Sequence, residues 1–165
     1  MSTGLKLPFI VEADPDPEHF QRILPRFPNW EKSFVSGPES PLYETSHWEN
    51  PKDKSLVLTI ARFKGAALGP PGHVHGGATA GIIDEVMGIC VWHQGEQAVT
   101  QELELRYLKP VPLQIEALIY TRIIHTFAKT VEVHATLYDQ KKIPRVSARG
   151  IFHRLSVEQL AKFKP

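Results

Sequence analysis

The sequence predicts one α+β domain in which a curved antiparallel sheet of about five to six strands wraps around one long central helix. Two patterns carry that expectation. Residues 76–92 contain no proline and are apolar on nearly every side (Ala78, Ile82, Ile83, Val86, Met87, Ile89, Val91, Trp92), the signature of a helix buried on several faces. Beyond Gly95 the apolar period drops to two, over residues 99–108, 115–124, 130–138 and 146–155, with residues 55–63 giving a further strand ahead of the helix. Breaks at Lys109-Pro110-Val111-Pro112, near Phe127 and at residues 139–144 are short, which favours antiparallel neighbours over crossovers.

A chain of 165 residues can bury its own core without covalent staples. Its 42% hydrophobic and 22% charged residues are ordinary for a soluble globular protein. A formal net charge of +1 excludes nucleic-acid binding driven by bulk electrostatics, yet leaves room for a local basic patch facing an anionic ligand. Cys90 is the sole cysteine, so no internal disulfide forms, which suits a reducing compartment. The first twenty residues lack a basic-then-apolar leader and the Arg-rich bias of a transit peptide. No run of about 18 apolar residues is present to span a bilayer. A cytoplasmic protein is expected.

Composition divides the chain near residue 54. Residues 1–53 form a Pro-rich extension of the same domain, and residues 54–165 carry its main body. Within the extension, Asp16-Pro17-Glu18 reads as a helix start, with the helix ending near Pro25. Trp30, Phe34 and Trp48 are expected to pack the extension against the body. At the other end, Ser156 with Glu158 and Gln159 near the third position predicts a capped final turn.

The chemically informative stretch runs from His73 through His75-Gly76-Gly77 to Asp84-Glu85. Glycines at a helix start allow close approach to N–H groups that have no partner within the helix and lie at the positive end of its dipole. Such donors hold phosphates or stabilise a carbonyl oxygen gaining negative charge. Asp84 is an acid among apolar helix residues, so it needs a partner or a task. Glu85 projects about 100° away and is expected to be solvated. Gly76 and Asp84 are separated by eight residues, roughly 12 Å of helix. Both can meet one reacting carbon only if two helices run antiparallel across a two-fold axis, as in a symmetric dimer with two equivalent sites.

The His75-Gly76-Gly77 run with Asp84 nine residues after the histidine resembles the PaaI-type branch of hotdog-fold thioesterases. The segment from Val99 to Pro110, ending in an aromatic-x-x-Pro turn at Tyr107, is similar to that branch's next strand. The likeness covers about residues 54 to 155 and implies a hotdog fold and hydrolysis of acyl-coenzyme A. It implies that the Gly76 N–H polarises the thioester carbonyl while His75 shapes the turn presenting it. Asp84 of a second subunit then deprotonates water or attacks directly, assisted by Thr100. It further implies substrate contact at Gly77, a homodimer with shared sites that can pair into a tetramer, and no cofactor. One position departs from the pattern: many relatives carry Asn or Gln six residues before the histidine, where this chain has Gly69.

Lys109 and Arg106 are candidates to meet the coenzyme A phosphates, as are Arg122, Lys129 and Arg149. A metal site built from His73, His75, His93 and Asp84 is disfavoured, because the residues after His75 read as helix and lack the acid that a His-x-His strand site needs. His125, His134 and His153 fall on strands and read as ordinary packed or surface residues, and Cys90 as an inert core filler. Two alternatives stay open: a non-catalytic acyl-CoA-binding hotdog protein, and a hotdog enoyl-CoA hydratase or dehydratase.

Overall fold

Helix α1 (Gly76–His93) starts where His75 turns to extended backbone and caps it. It stops where Gly95 adopts a φ of 84°, the left-handed conformation that ends helices at low cost for glycine. The computed structural model describes residues 9–162. Residues 1–8, part of the N-terminal stretch considered above, lie outside the described residues, as do residues 163–165.

Five strands follow the expected pattern: β3 (Leu56–Phe63), β4 (Ala98–Tyr107), β5 (Glu116–Thr126), β6 (Thr130–Tyr138) and β7 (Pro144–Arg154). Two more precede them, β1 (Gln21–Ile23) and β2 (Tyr43–Glu49). All pair antiparallel in the order β1-β2-β3-β5-β6-β7-β4. The sheet therefore has seven strands, more than the five to six expected, and the surplus comes from the Pro-rich extension. The helix expected after Asp16 is only a single 3-10 turn, Pro17–His19. Arg22 and Ile23 pair instead with Trp48 and His47, so tertiary pairing overrides the local cap signal. The closing helix α2 (Val157–Ala161) carries a complete capping box between Ser156 and Gln159.

The concave face of the sheet closes on α1. Ile82, Ile83, Val86 and Met87 are fully buried against Ala117, Ile119, Val133, Ala135 and Ala148. Small residues let the helix approach: a Cβ at Gly150 would lie 2.9 Å from Met87 Sδ. A second cluster on the convex face joins Val11 and Phe20 to Leu56, Leu58, Tyr120 and Tyr138, with Trp48 alongside. Tyr138 donates to the Val11 carbonyl at 2.8 Å, and the Val11 N–H donates to Thr136 Oγ1 at 2.9 Å. The extension is thus packed on the sheet, but not through Phe34, which is 67% exposed; its neighbour Val35 takes the core position. Among the described residues, no helix is long and apolar enough to cross a membrane.

Candidate active site

Helix α1 and edge strand β4 bring the sequence-predicted groups together in two clusters. At the helix start, His75 Nδ1 accepts from the Gly77 N–H at 2.9 Å, and the His75 N–H donates to the Ala67 carbonyl at 2.8 Å. The cap therefore consumes the Gly77 N–H. Among the described residues, no acceptor takes the Gly76 N–H. It remains an unspent donor at the positive end of an 18-residue helix. Gly76 lines a cavity of about 410 Å³ with Tyr107, Lys109 and His73.

Tyr107 was visible in the sequence only as the aromatic of a turn, yet its hydroxyl donates to the Gly76 carbonyl at 2.8 Å. That bond fixes the peptide next to the free donor. Partial burial raises the Tyr107 phenol above its ordinary value.

The second cluster lies two turns along α1. Thr100 Oγ1 donates to Asp84 Oδ1 at 2.8 Å. Asp84 is half-buried, and both residues open onto a separate cavity of about 420 Å³. The strand aims Thr100 by an irregularity: Thr100 pairs with Phe152 and Glu102 with Ile151, leaving Gln101 as a bulge. Ahead of the bulge the even-numbered Ala98 and Thr100 turn toward the helix. Beyond it the odd-numbered Leu103, Leu105 and Tyr107 do so. One extra residue in a strand shifts which side chains face inward, and bulges often re-aim a side chain in this way.

Glu85 is not solvated. Its Oε1 accepts from Ser33 Oγ at 2.6 Å and also from the Ser36 hydroxyl, tying the N-terminal extension to the helix. The 100° offset from Asp84 holds, but the face it reaches is covered by serines that no local pattern announces.

Gly69 has a steric reason. A Cβ there would sit 2.6 Å from His75 Cα and 2.9 Å from His75 N. The loop before the helix folds back tightly, with Gly69 N–H donating to the His73 carbonyl at 2.9 Å and Leu68 bridged to Val74. No side-chain amide fits at this point of the chain.

Among the basic candidates, Arg106 Nη2 pairs with Glu104 at 3.1 Å, and its guanidinium lies 5.4 Å from the centre of the Phe9 ring. Arg122 pairs with Asp53 and Arg149 with Glu132. Exposed Lys109, at the rim of the Gly76 cavity, has no ion-pair partner among the described residues. The histidines considered for a metal are dispersed. His73 Nδ1 lies 2.9 Å from the Pro71 carbonyl, and His93 pairs with Glu49 at 2.7 Å at the far end of α1, roughly 27 Å from His75. Among the described residues, no group of three or more His, Cys, Asp or Glu is arranged to hold a metal. Cys90 is fully buried, and burial pushes its thiol up to about 12, so it is no nucleophile at neutral pH.

A long helix gripped by a curved antiparallel sheet defines the hotdog class of folds. Residues 71–143 match the sequence profile of the Thioesterase superfamily. The mouse (Mus musculus) acyl-coenzyme A thioesterase THEM4 is 32% identical over 104 residues, 61% of this chain and 45% of that protein. The chain spans about half the length of the curated relatives it matches. Among solved structures, smu.793 from Streptococcus mutans UA159 bound to acetyl CoA aligns with a TM-score of 0.60 at 26% identity, over 63% of this chain and 84% of that one. The thioesterase superfamily protein RHA08564 aligns with a TM-score of 0.69 at 23% identity, over 82% and 70%.

Proposed function

We propose that this chain hydrolyses acyl-CoA thioesters to free acid and coenzyme A. The observation that carries the reading is the hydrogen bond from Thr100 to a half-buried Asp84 at the mouth of a cavity. The mouse relative is named an acyl-coenzyme A thioesterase, and the Streptococcus mutans structure holds acetyl CoA.

In this reading the unspent Gly76 N–H and the helix dipole polarise the thioester carbonyl. Asp84 takes a proton from water oriented by Thr100, and the hydroxide adds to the carbonyl carbon. The tetrahedral intermediate then collapses, expelling the coenzyme A thiolate, which recovers the proton from Asp84. Direct attack by Asp84 to form an acyl anhydride is the alternative route, with water cleaving the anhydride afterwards. Label found in the enzyme after single turnover in ¹⁸O-water would identify the anhydride route, cleaved at its aspartyl carbon.

Within one chain Gly76 and Asp84 open onto different cavities. One site therefore takes Gly76 from one protomer and Asp84 from its partner, in a homodimer with two equivalent sites that can pair further into a tetramer. Lys109 lines the Gly76 cavity and is the candidate for the coenzyme A phosphates, with Gly77 and His75 fixing the turn, whereas Arg106 turns to the other face of β4 with Glu104 and Phe9. Residues 54–165 supply the catalytic groups, and residues 1–53 extend the same domain. The single, buried Cys90 suits a reducing, cytoplasmic setting.

Free-thiol release from a panel of short, medium, long and aromatic acyl-CoAs tests the reading. Release by the wild-type chain, reduced at least about a hundredfold in Asp84→Asn, supports it. Release from none of the panel would leave an acyl-CoA binder, and loss of an enoyl chromophore instead would indicate a hydratase.

A further inference from the structure

The cavity beside Asp84 has a wall that the hydrolysis itself does not require. On α1 its lining follows Asp84, Gly88 and Trp92 at intervals of four residues, the same face of the helix over roughly 12 Å. Val99, Phe152 and Leu155 line the sheet side, and Phe27, Pro28 and Asn29 of the N-terminal extension also border it.

Gly88 has no packing reason to be glycine. A Cβ there would meet only Phe152 Cε1, at an ordinary 3.9 Å, although glycine weakens a helix interior. What the missing side chain does is keep the cavity open one turn past Asp84. Two polar atoms along this path are already engaged. Trp92 Nε1 donates to the Ala98 carbonyl at 2.8 Å, and Glu85 Oε1 takes the two serine hydroxyls. Past the Asp84–Thr100 mouth the lining presents chiefly the rings of Phe27, Trp92 and Phe152. The loop is also fastened. Glu85 holds it through Ser33 and Ser36, and Arg26 Nη1 donates to the His93 carbonyl at 3.2 Å.

We infer that this cavity takes the acyl tail, an unbranched chain of about octanoyl length, and that Gly88 and Phe27 set its depth. The inference rests on the thioesterase reading above and adds to it the substrate class and the residues that select it. A bulky side chain at position 88 fills the path one turn beyond the reacting carbon. Loss of the Phe27 ring opens the outer wall.

The test compares kcat/KM for acetyl-, butyryl-, octanoyl- and palmitoyl-CoA in the wild type, Gly88→Leu, Gly88→Ala and Phe27→Ala. The wild type should favour octanoyl-CoA. Gly88→Leu should lower the octanoyl-to-acetyl ratio by roughly tenfold or more, and Gly88→Ala should move it the same way by a smaller factor. Phe27→Ala should raise the palmitoyl-to-octanoyl ratio. An unmoved profile in all three variants, or parallel loss on every substrate, overturns the assignment. Calorimetric titration with octanoyl-CoA and acetyl-CoA separates the two levels. A wild type that releases no thiol, with octanoyl-CoA binding selectively weakened by Gly88→Leu, would retire the hydrolase reading and keep the pocket. Turnover with a chain-length profile indifferent to these variants would retire the pocket and keep the hydrolase.

Discussion

Thr100 and Asp84 meet across sixteen residues of chain through a 2.8 Å hydrogen bond, and the bulge at Gln101 aims the hydroxyl. A hydrogen bond to a charged group is worth about 1.5–3 kcal/mol, so Thr100→Val should lower kcat/KM by roughly 10- to 100-fold. Thr100→Ser, which keeps the hydroxyl, should retain most of the activity. A Thr100→Val enzyme at the wild-type rate would remove this residue from the site.

The shared site has a stringent variant pair. His75 has a ψ of 138°, which suits a residue before proline, and Gly76 is the first helical position, where proline is tolerated. Gly76→Pro therefore deletes the N–H while leaving the helix intact, and it should inactivate the homodimer. In a heterodimer of Gly76→Pro with Asp84→Asn, one of the two sites is doubly defective and the other is wholly wild type. Purified heterodimers should show about half the wild-type activity. No recovery would count against a site shared between protomers.

Restoring the family amide at position 69 should harm the protein. Because a Cβ there falls 2.6 Å from His75 Cα, Gly69→Asn should cost about 1–3 kcal/mol by thermal or urea unfolding, with turnover falling as the helix cap is displaced. A stable Gly69→Asn variant with raised activity would mean that the loop yields and that the amide was merely lost.

Acid should weaken the fold through His47, a site remote from the chemistry. Burial, and to a lesser degree the Arg22 charge, lowers this imidazole from 6.5 to about 4. Its Nδ1 lies 2.9 Å from Thr59 Oγ1. The unfolded chain then takes up the proton first. This group is neutral to stability above pH 6.5 and withdraws it as pH falls from 6.5 toward 4, on the order of 3 kcal/mol across that window. His47→Gln should flatten the fall of Tm over the same range. Parallel Tm curves would show that the acid sensitivity arises elsewhere.

Much of this architecture is legible in the order of residues because two periods are unmixed. The helix expected over 76–92 runs Gly76–His93, and the five strand windows after residue 54 match β3–β7 to within about two residues at either end. The positions of the candidate groups are legible too, since Gly76 and Asp84 lie on one helix that His75 caps and whose start the glycines announce. What escaped is tertiary. β2 forms because its edge meets β3, and β1 because it meets β2, and nothing in a Pro-rich run states that pairing. Glu85 looks solvated until Ser33 and Ser36, about fifty residues earlier, fold over it. Tyr107 and Gly69 acquire meaning only from where the Gly76 peptide and the His75 backbone happen to lie.

The two borders of the sheet are unequal: β1 offers three residues and β4 offers ten. An exposed strand recruits another copy through its unpaired backbone groups, so a sheet with long borders on both sides could add chains without end. Among the described residues the two directions of growth are therefore unequal. Two copies joined along β4 would turn the shorter β1 border outward, leaving a third copy less continuous backbone to pair with.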